Sequence, residues 1–386
     1  MSETLGTADG APSDELIRLY ARWSEGGLGL CITGNVMIDR RAIGEPGNVV
    51  VEDERDLAAL SRWAAEGSAN GTQFWMQINH PGKQAPQGLN RETVSPSAVP
   101  FTGTVASFFA TPRALHDEEI EDIVARFAGT AEIAKNAGFG GVQIHGAHGY
   151  LVSQFLSPHH NQRVDRWGGP IENRRRFVLA VLDAMRAKVG PGFPIGIKLN
   201  SADFQRGGIT EEEAIGTIEA LVEHGIDLVE ISGGTYETPA MTGIMKASTQ
   251  EREAYFMAFA ERARKITRIP LMLTGGFRTH AAMAAAIDGG AVDFIGLARL
   301  LAIEPDAASR LTSGLDPTHS IKPVNTGIAA IDRLGLMEVN WYTHQLKRIG
   351  SGRDANPKEP VLRVFALGML GLQSNVLGRR IRRLRA

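Results

Sequence analysis

Short apolar runs alternate with longer amphipathic stretches from the start of the chain to about residue 297. Leu28–Thr33, Thr72–Ile78, Gly141–His145, Ile195–Leu199, Leu228–Ser232, Leu271–Thr274 and Phe294–Leu297 are too short for helices and largely apolar, as strands covered on both faces are. Between them, residues 14–25, 54–69, 117–137, 172–188, 211–224, 250–267 and 280–287 carry the spacing of helices with one apolar face. Helix starts are marked by Ser13 before Asp14-Glu15, by Thr210 before three glutamates, and by Thr279 before an alanine-rich stretch. Alternating β and α predicts a parallel sheet, and a run this long predicts a (β/α)8 TIM barrel more than an open doubly wound sheet. No GxGxxG follows a strand, so a dinucleotide-binding half of the Rossmann type is unsupported.

Seven strands are counted where a barrel needs eight, and the first confident element is the helix beginning near Ser13. Residues 1–12 read as a loop with at most a strand's end, so the barrel is expected to lack most of strand 1, as though the sequence began inside it. Beyond residue 312 the pattern changes. Val339–Leu346 reads as a helix, Gly350–Pro360 as a polar linker and Val361–Leu377 as an apolar segment running into five arginines between Arg379 and Arg385. The expected division is therefore a barrel over 1–312 and a C-terminal helical extension over 313–386, its basic end a packed helix with a solvated tail rather than a membrane anchor.

Composition narrows the function classes. Among 386 residues, 41 Lys and Arg face 43 Asp and Glu, a net charge of −2 that argues against a nucleic-acid coat or a polybasic membrane binder. With 43% hydrophobic and 22% charged residues, most of the chain is globular rather than disordered. Cys31 is the only cysteine, which excludes an intramolecular disulfide, a cysteine-held iron–sulfur cluster and a multi-cysteine zinc site. Its apolar neighbours predict a buried strand residue. The opening residues lack the basic start and apolar core of a signal peptide, and no run of 18 apolar residues follows, so the expected location is the cytoplasm, without membrane insertion.

Barrels act from the C-terminal ends of their strands. There the sequence places Gln77, Asn79 and His80, then His145 and His148, then Lys198 and Asn200, and Arg299 beyond the last strand. His145 and His148, three residues apart on a glycine-punctuated loop, could converge on one oxygen and stabilise negative charge developing on it. Paired histidines also bind zinc, but no clear third ligand is supplied. Tyr150 can protonate a basic carbanion without being ionised at neutral pH. Lys198 could form a Schiff base or supply fixed positive charge to an anionic ring or phosphate. Thr274-Gly275-Gly276 and Gly296-Leu297-Ala298-Arg299 stand where barrels hold phosphate, through loop amides and an added cation. The stretch Ser157–Phe177, dense in Arg, Asp and Asn, reads as a loop braced by salt bridges.

At these residues a resemblance becomes specific. Gln77-Ile-Asn-His80-Pro-Gly-Lys-Gln, Gly138 through Tyr150-Leu with its His145-Gly-Ala-His148 core, and the loop from Asn161-Gln-Arg163 to Gly-Gly-Pro-Ile-Glu-Asn-Arg resemble the Old Yellow Enzyme family of NADH:flavin oxidoreductases, of the single-domain type. The similarity runs from Met1 to about residue 312. It implies FMN at the C-terminal rim, with Gln77 on the flavin's pyrimidine side, Lys198 where charge gathers on reduction, Gly275, Gly276 and Arg299 at the phosphate, and Ser2 beside the ring. It further implies His145 and His148 on the substrate oxygen, Tyr150 as proton donor, NADH or NADPH as reductant and an α,β-unsaturated carbonyl compound as the small-molecule substrate. A homo-oligomer built through the C-terminal extension is a further expectation. Two rival readings are a non-redox lyase or isomerase using Lys198 as a Schiff base, and a non-catalytic remnant of a flavoprotein.

Overall fold

A computed structural model describes residues 2–234, 254–319, 321, 324–328, 332 and 337–367. Its frame is a set of parallel strands in chain order: β1 in two pieces (Leu30–Ile32 and Val36–Met37), β2 (Gln73–Asn79), β3 (Gly141–Gly146), β4 (Ile195–Asn200), β5 (Leu228–Ser232), β6 (Leu271–Thr274) and β7 (Phe294–Gly296). Each pairs with the next, from β1 on β2 through to β6 on β7. All seven expected strands are present, and the break in β1 at Thr33–Asn35 is an addition to the expectation. Among the described residues, the outer edges of Leu30–Ile32 and of β7 have no strand beside them.

Helices return the chain between strands: α1 (Asp14–Glu25) before β1, α2 (Leu57–Gly67), α3 (Asp117–Asn136), a short α4 (Leu151–Leu156), α5 (Arg176–Val189), α6 (Glu211–Glu223), α7 (Met257–Ile266), α8 (His280–Asp288), α9 (Ala307–Thr312) and α10 (Met337–Gly350). The start signals act as expected. Ser13, Thr210 and Thr279 each accept a backbone amide of the first turn, and Glu213 closes a reciprocal capping box with Thr210. Helix α4 lies on a segment whose six residues are all buried, so it shows no amphipathic period to read. The first residues of the expected helix at 250–267 and the arginine-rich end lie outside the described residues.

Strand residues alternate between two environments. Phe74, Met76, Ile78, Val142, Ile144, Ile195, Ile197, Val229, Ile231, Leu271 and Leu273 join the main core under the helices. The alternate positions face inward, and at the bottom Trp75, Leu228 and Met272 pack together with Leu30, Ile32 and Phe294 beside them. Trp75 takes its space from two glycines. A Cβ on Gly141 would lie 2.6 Å from its ring, and one on Gly196 would lie 3.0 Å away. This apolar floor forces the polar inward residues into the layers above.

The loop after α4 is braced by salt bridges as its composition predicts: Arg163 pairs with Asp165, and Arg166 pairs with Asp117 and Glu121. Arg174, buried, pairs with Glu213 and reaches the Leu156 carbonyl. Cys31 is buried, and burial pushes its thiol up. Helix α10 packs on α1, where Arg18 Nε donates to the Gly350 carbonyl at 2.8 Å. No helix among the described residues is long and apolar enough to cross a membrane.

Candidate active site

Above the floor lies a polar layer contributed by consecutive strands. Gln77 and Gln143 are register partners, as are Lys198 and Glu230. Gln77 Nε2 donates to Gln143 Oε1 at 2.6 Å, and Gln143 Nε2 donates to Glu230 Oε2 at 2.8 Å. Thr274 Oγ1 donates to Glu230 Oε1 at 2.6 Å, and Lys198 Nζ stands 2.9 Å from the same oxygen. Gln143 and Glu230 sit on strands separated by β4, so they meet only by pointing into the space that the curved sheet encloses. Burial opposes ionisation of Glu230, but the Lys198 charge and the hydrogen bonds from Thr274, Lys198 and Gln143 outweigh it and hold the carboxyl below its usual range.

The next layer holds the aromatic and imidazole groups. The ring of His145 lies 4.7 Å from that of Tyr150 and 5.3 Å from that of His148, edge to face in both cases. The Ala147 amide donates to His145 Nδ1 at 3.3 Å, which places the proton of the neutral ring on Nε2. Desolvation, then the neighbouring His148 imidazole and the Lys198 charge, push His145 well below the usual imidazole range, and desolvation followed by the Lys198 charge does the same to His148. Both rings are therefore neutral at pH 7.

His148 is held from three sides. Its amide donates to Asn200 Oδ1 at 3.2 Å, its carbonyl accepts from Gln84 Nε2 at 3.0 Å, and its Nε2 shares a hydrogen bond with Ser232 Oγ at 2.8 Å. These contacts hold it at φ +60°, the left-handed region that side-chain-bearing residues seldom occupy. Tyr150 is buried, and its phenol oxygen accepts a hydrogen bond from Asn35 Nδ2 at 3.1 Å. Asn35 follows Gly34, whose amide donates to both Glu3 Oε1 and the Tyr20 hydroxyl at 2.9 Å.

The structure thus brings Gln77, His145, His148, Tyr150 and Lys198 into two stacked layers on one rim. Gln77 Oε1 and both amide atoms of Asn79 are buried there without a partner among the described residues. Gly275 and Gly276 follow directly on Thr274 with φ +129° and +86°. A Cβ on Gly276 would meet the Ala254 nitrogen at 2.9 Å, so glycine lets the loop pass beneath residues 254–256. Two expected residues are held by protein partners of their own. Ser2 Oγ accepts from Asn48 Nδ2 at 3.3 Å, and Arg299 is ion-paired at 2.6 Å with Glu338 of α10. Among the described residues, no group of three or more His, Cys, Asp or Glu is arranged to hold a metal ion.

Three residues of this site escape the sequence reading: Asn35, Gln143 and Glu230. Asn35 sits in the break of β1, just past Leu30–Ile32, and the rule that barrels act from strand ends reaches it once that first piece is taken as the strand's end. Gln143 and Glu230 lie inside apolar runs, where the period-two position they share with Lys198 is the available signal.

The sequence profile of the NADH:flavin oxidoreductase / NADH oxidase family matches residues 1–317. The NADH-dependent flavin oxidoreductase nadA of Aspergillus parasiticus is 40% identical over 319 residues, covering 81% of this chain and 71% of that protein. The NADH-dependent flavin oxidoreductase iccE of Talaromyces variabilis is 39% identical over 326 residues, covering 76% and 78%. Among solved structures, the old yellow enzyme homologue from Zymomonas mobilis matches with a TM-score of 0.72 at 22% identity over 94% of this chain and 92% of that one. A 2-naphthoyl-CoA reductase matches with a TM-score of 0.76 at 24% identity over 90% of this chain, which spans about half (54%) of the reductase. These two likenesses identify the architecture as that of the TIM barrels of this type. The chain belongs to the NADH:flavin oxidoreductase / NADH oxidase family and is an oxidoreductase of Old Yellow Enzyme type, with FMN as its cofactor and NAD(P)H as reductant.

Proposed function

We propose that the chain reduces the carbon–carbon double bond of α,β-unsaturated carbonyl compounds. The observation that carries this reading is the meeting of the Tyr150 phenol with the neutral imidazoles of His145 and His148 on one rim. FMN, when bound, would supply the hydride-transfer chemistry between the nicotinamide and the alkene's β-carbon. The residues present suit that group. Gln77 Oε1, buried without a partner among the described residues, is an acceptor for an imide N–H on the pyrimidine side of the ring, and Lys198 supplies fixed positive charge. Gly275, Gly276 and Arg299 are assigned to the phosphate, and Ser2 to the ring's flank.

His145 donates from Nε2 to the substrate's carbonyl oxygen, with His148 as the second donor. A neutral donor suits this task, because it strengthens as charge develops on the oxygen yet leaves no buried cation when the site is empty of substrate. Tyr150 protonates the α-carbon, and the hydrogen bond it accepts from Asn35 steadies the negative charge left on the phenol oxygen. The Schiff-base alternative is disfavoured by the ion pair between Lys198 and Glu230, since an ammonium held this way offers no lone pair to a carbonyl. The names of the two fungal relatives support NADH as the reductant.

The test separates the two halves of the reaction. With FMN-loaded protein, stopped-flow absorbance follows flavin reduction by NADH and then reoxidation by a simple cyclic enone. Tyr150→Phe is expected to leave the first rate within about twofold and to slow the second by about 10²-fold or more. Equal slowing of both halves would overturn the assignment.

A further inference from the structure

Glu230 is the end point of the polar layer. Gln143, Thr274 and Lys198 all direct a donor at its carboxylate, and it is buried to 3% exposure in the middle of β5. A carboxylate only accepts. Its Oε2 therefore fixes the Gln143 amide with nitrogen toward Glu230 and oxygen toward Gln77. That oxygen in turn takes Nε2 of Gln77, so Oε1 of Gln77 is left as the buried group without a partner among the described residues. Two amides that could each flip by themselves are locked in one sense by a single charge, two strands from Gln143 and three from Gln77. The same carboxylate lies 2.9 Å from the Lys198 ammonium, so the pair is close to neutral as a unit.

We propose that Glu230 is a positioning residue with two effects at the flavin site: it makes Gln77 present an acceptor to the ring's imide N–H, and it offsets Lys198 so that negative charge on the reduced ring gains less from that cation. This rests on the reading of Gln77 and Lys198 as flavin contacts. Glu230 touches neither cofactor nor substrate in this assignment and acts through its two neighbours.

The experiment compares the full chain with E230Q and Q143L, each loaded with FMN, by midpoint potential and by FMN dissociation constant. E230Q keeps the shape but removes the charge, so the potential is expected to move in the positive direction. Q143L breaks the relay to Gln77 but spares the ion pair, so FMN affinity is expected to fall about tenfold, the scale of one fixed hydrogen bond, with the potential close to that of the unaltered protein. A flavin-loaded E230Q with the unaltered potential would overturn the charge offset, and a Q143L with unaltered affinity would overturn the relay. If E230Q does not fold, Q143L alone decides the relay, and an E230L variant, which also removes the charge, decides the offset by the same potential shift. An unaltered chain that fails to bind FMN would overturn the flavin-site reading itself, a result distinct from either of these.

Discussion

Asn35 donates a hydrogen bond from its side-chain nitrogen to the phenol oxygen of Tyr150, joining the break in β1 to the loop after β3 across the rim. A phenol that gives up its proton becomes an anion, and a donor already in place lowers the cost of that change. Asn35→Ala is therefore expected to slow enone reduction by about tenfold, the scale of one hydrogen bond to a charged group, and to leave flavin reduction by NADH within about twofold. Rapid-mixing measurements of the two halves check this.

Buried neutral histidines make stability fall in mild acid. His80 is pushed down to about 4, chiefly by burial, with its Nδ1 accepting from the Gly82 amide. The unfolded chain takes up a proton near the ordinary imidazole value of about 6.5, whereas the folded protein resists until about 4. Between those values the unfolded state binds more protons, so stability drops as pH falls. His145 and His148, also shifted down, add to the same slope. Denaturant melts at pH 7 and pH 5 are expected to show a clear loss at pH 5, and His80→Gln is expected to reduce that loss.

The apolar floor has no slack at Gly141. A methyl there would press on the Trp75 ring, and neither the ring nor the strand backbone can move away freely. Gly141→Ala is expected to destabilise by about 1–3 kcal/mol, the range for overpacking, measured by chemical denaturation.

The buried ion pair gives an asymmetric result. Lys198→Met leaves Glu230 as a buried charge without its cation and is expected to cost about 3–5 kcal/mol. Adding Glu230→Gln to that variant removes the stranded charge and is expected to restore part of the loss. A double-mutant cycle by denaturant unfolding measures the difference.

Much of the frame was legible because the strands are apolar runs of similar length, each followed by a helix with a visible apolar stripe. The bounds of β5 and β6 agree residue for residue and those of β2, β3, β4 and β7 to within one, whereas β1 runs four residues past its expected end, across its break. His145, His148, Tyr150, Gln77 and Lys198 were legible as rim residues from the strand-end rule and from the family's motifs. Gln143 and Glu230 were not, because a single polar residue within an apolar run gains its meaning only from its partner, and Gln143 meets Glu230 across an intervening strand. Asn35 was hidden by the break in β1. The pairing of Arg299 with Glu338 depends on where α10 docks, which no local pattern encodes.

The packing of α10 on α1 has a consequence for synthesis of the chain. Arg18 finds the Gly350 carbonyl 332 positions later, and the Trp23 indole nitrogen donates to the Leu301 carbonyl, 278 positions later. At typical elongation rates, α1 leaves the ribosome roughly 15–70 s before those partners do. During that interval the apolar face of α1, with Leu16, Leu19, Tyr20 and Trp23, has at most α2 and the early strands to cover it. Slower translation between Trp23 and Leu301 thus lengthens the time for which part of this face waits for its last partners.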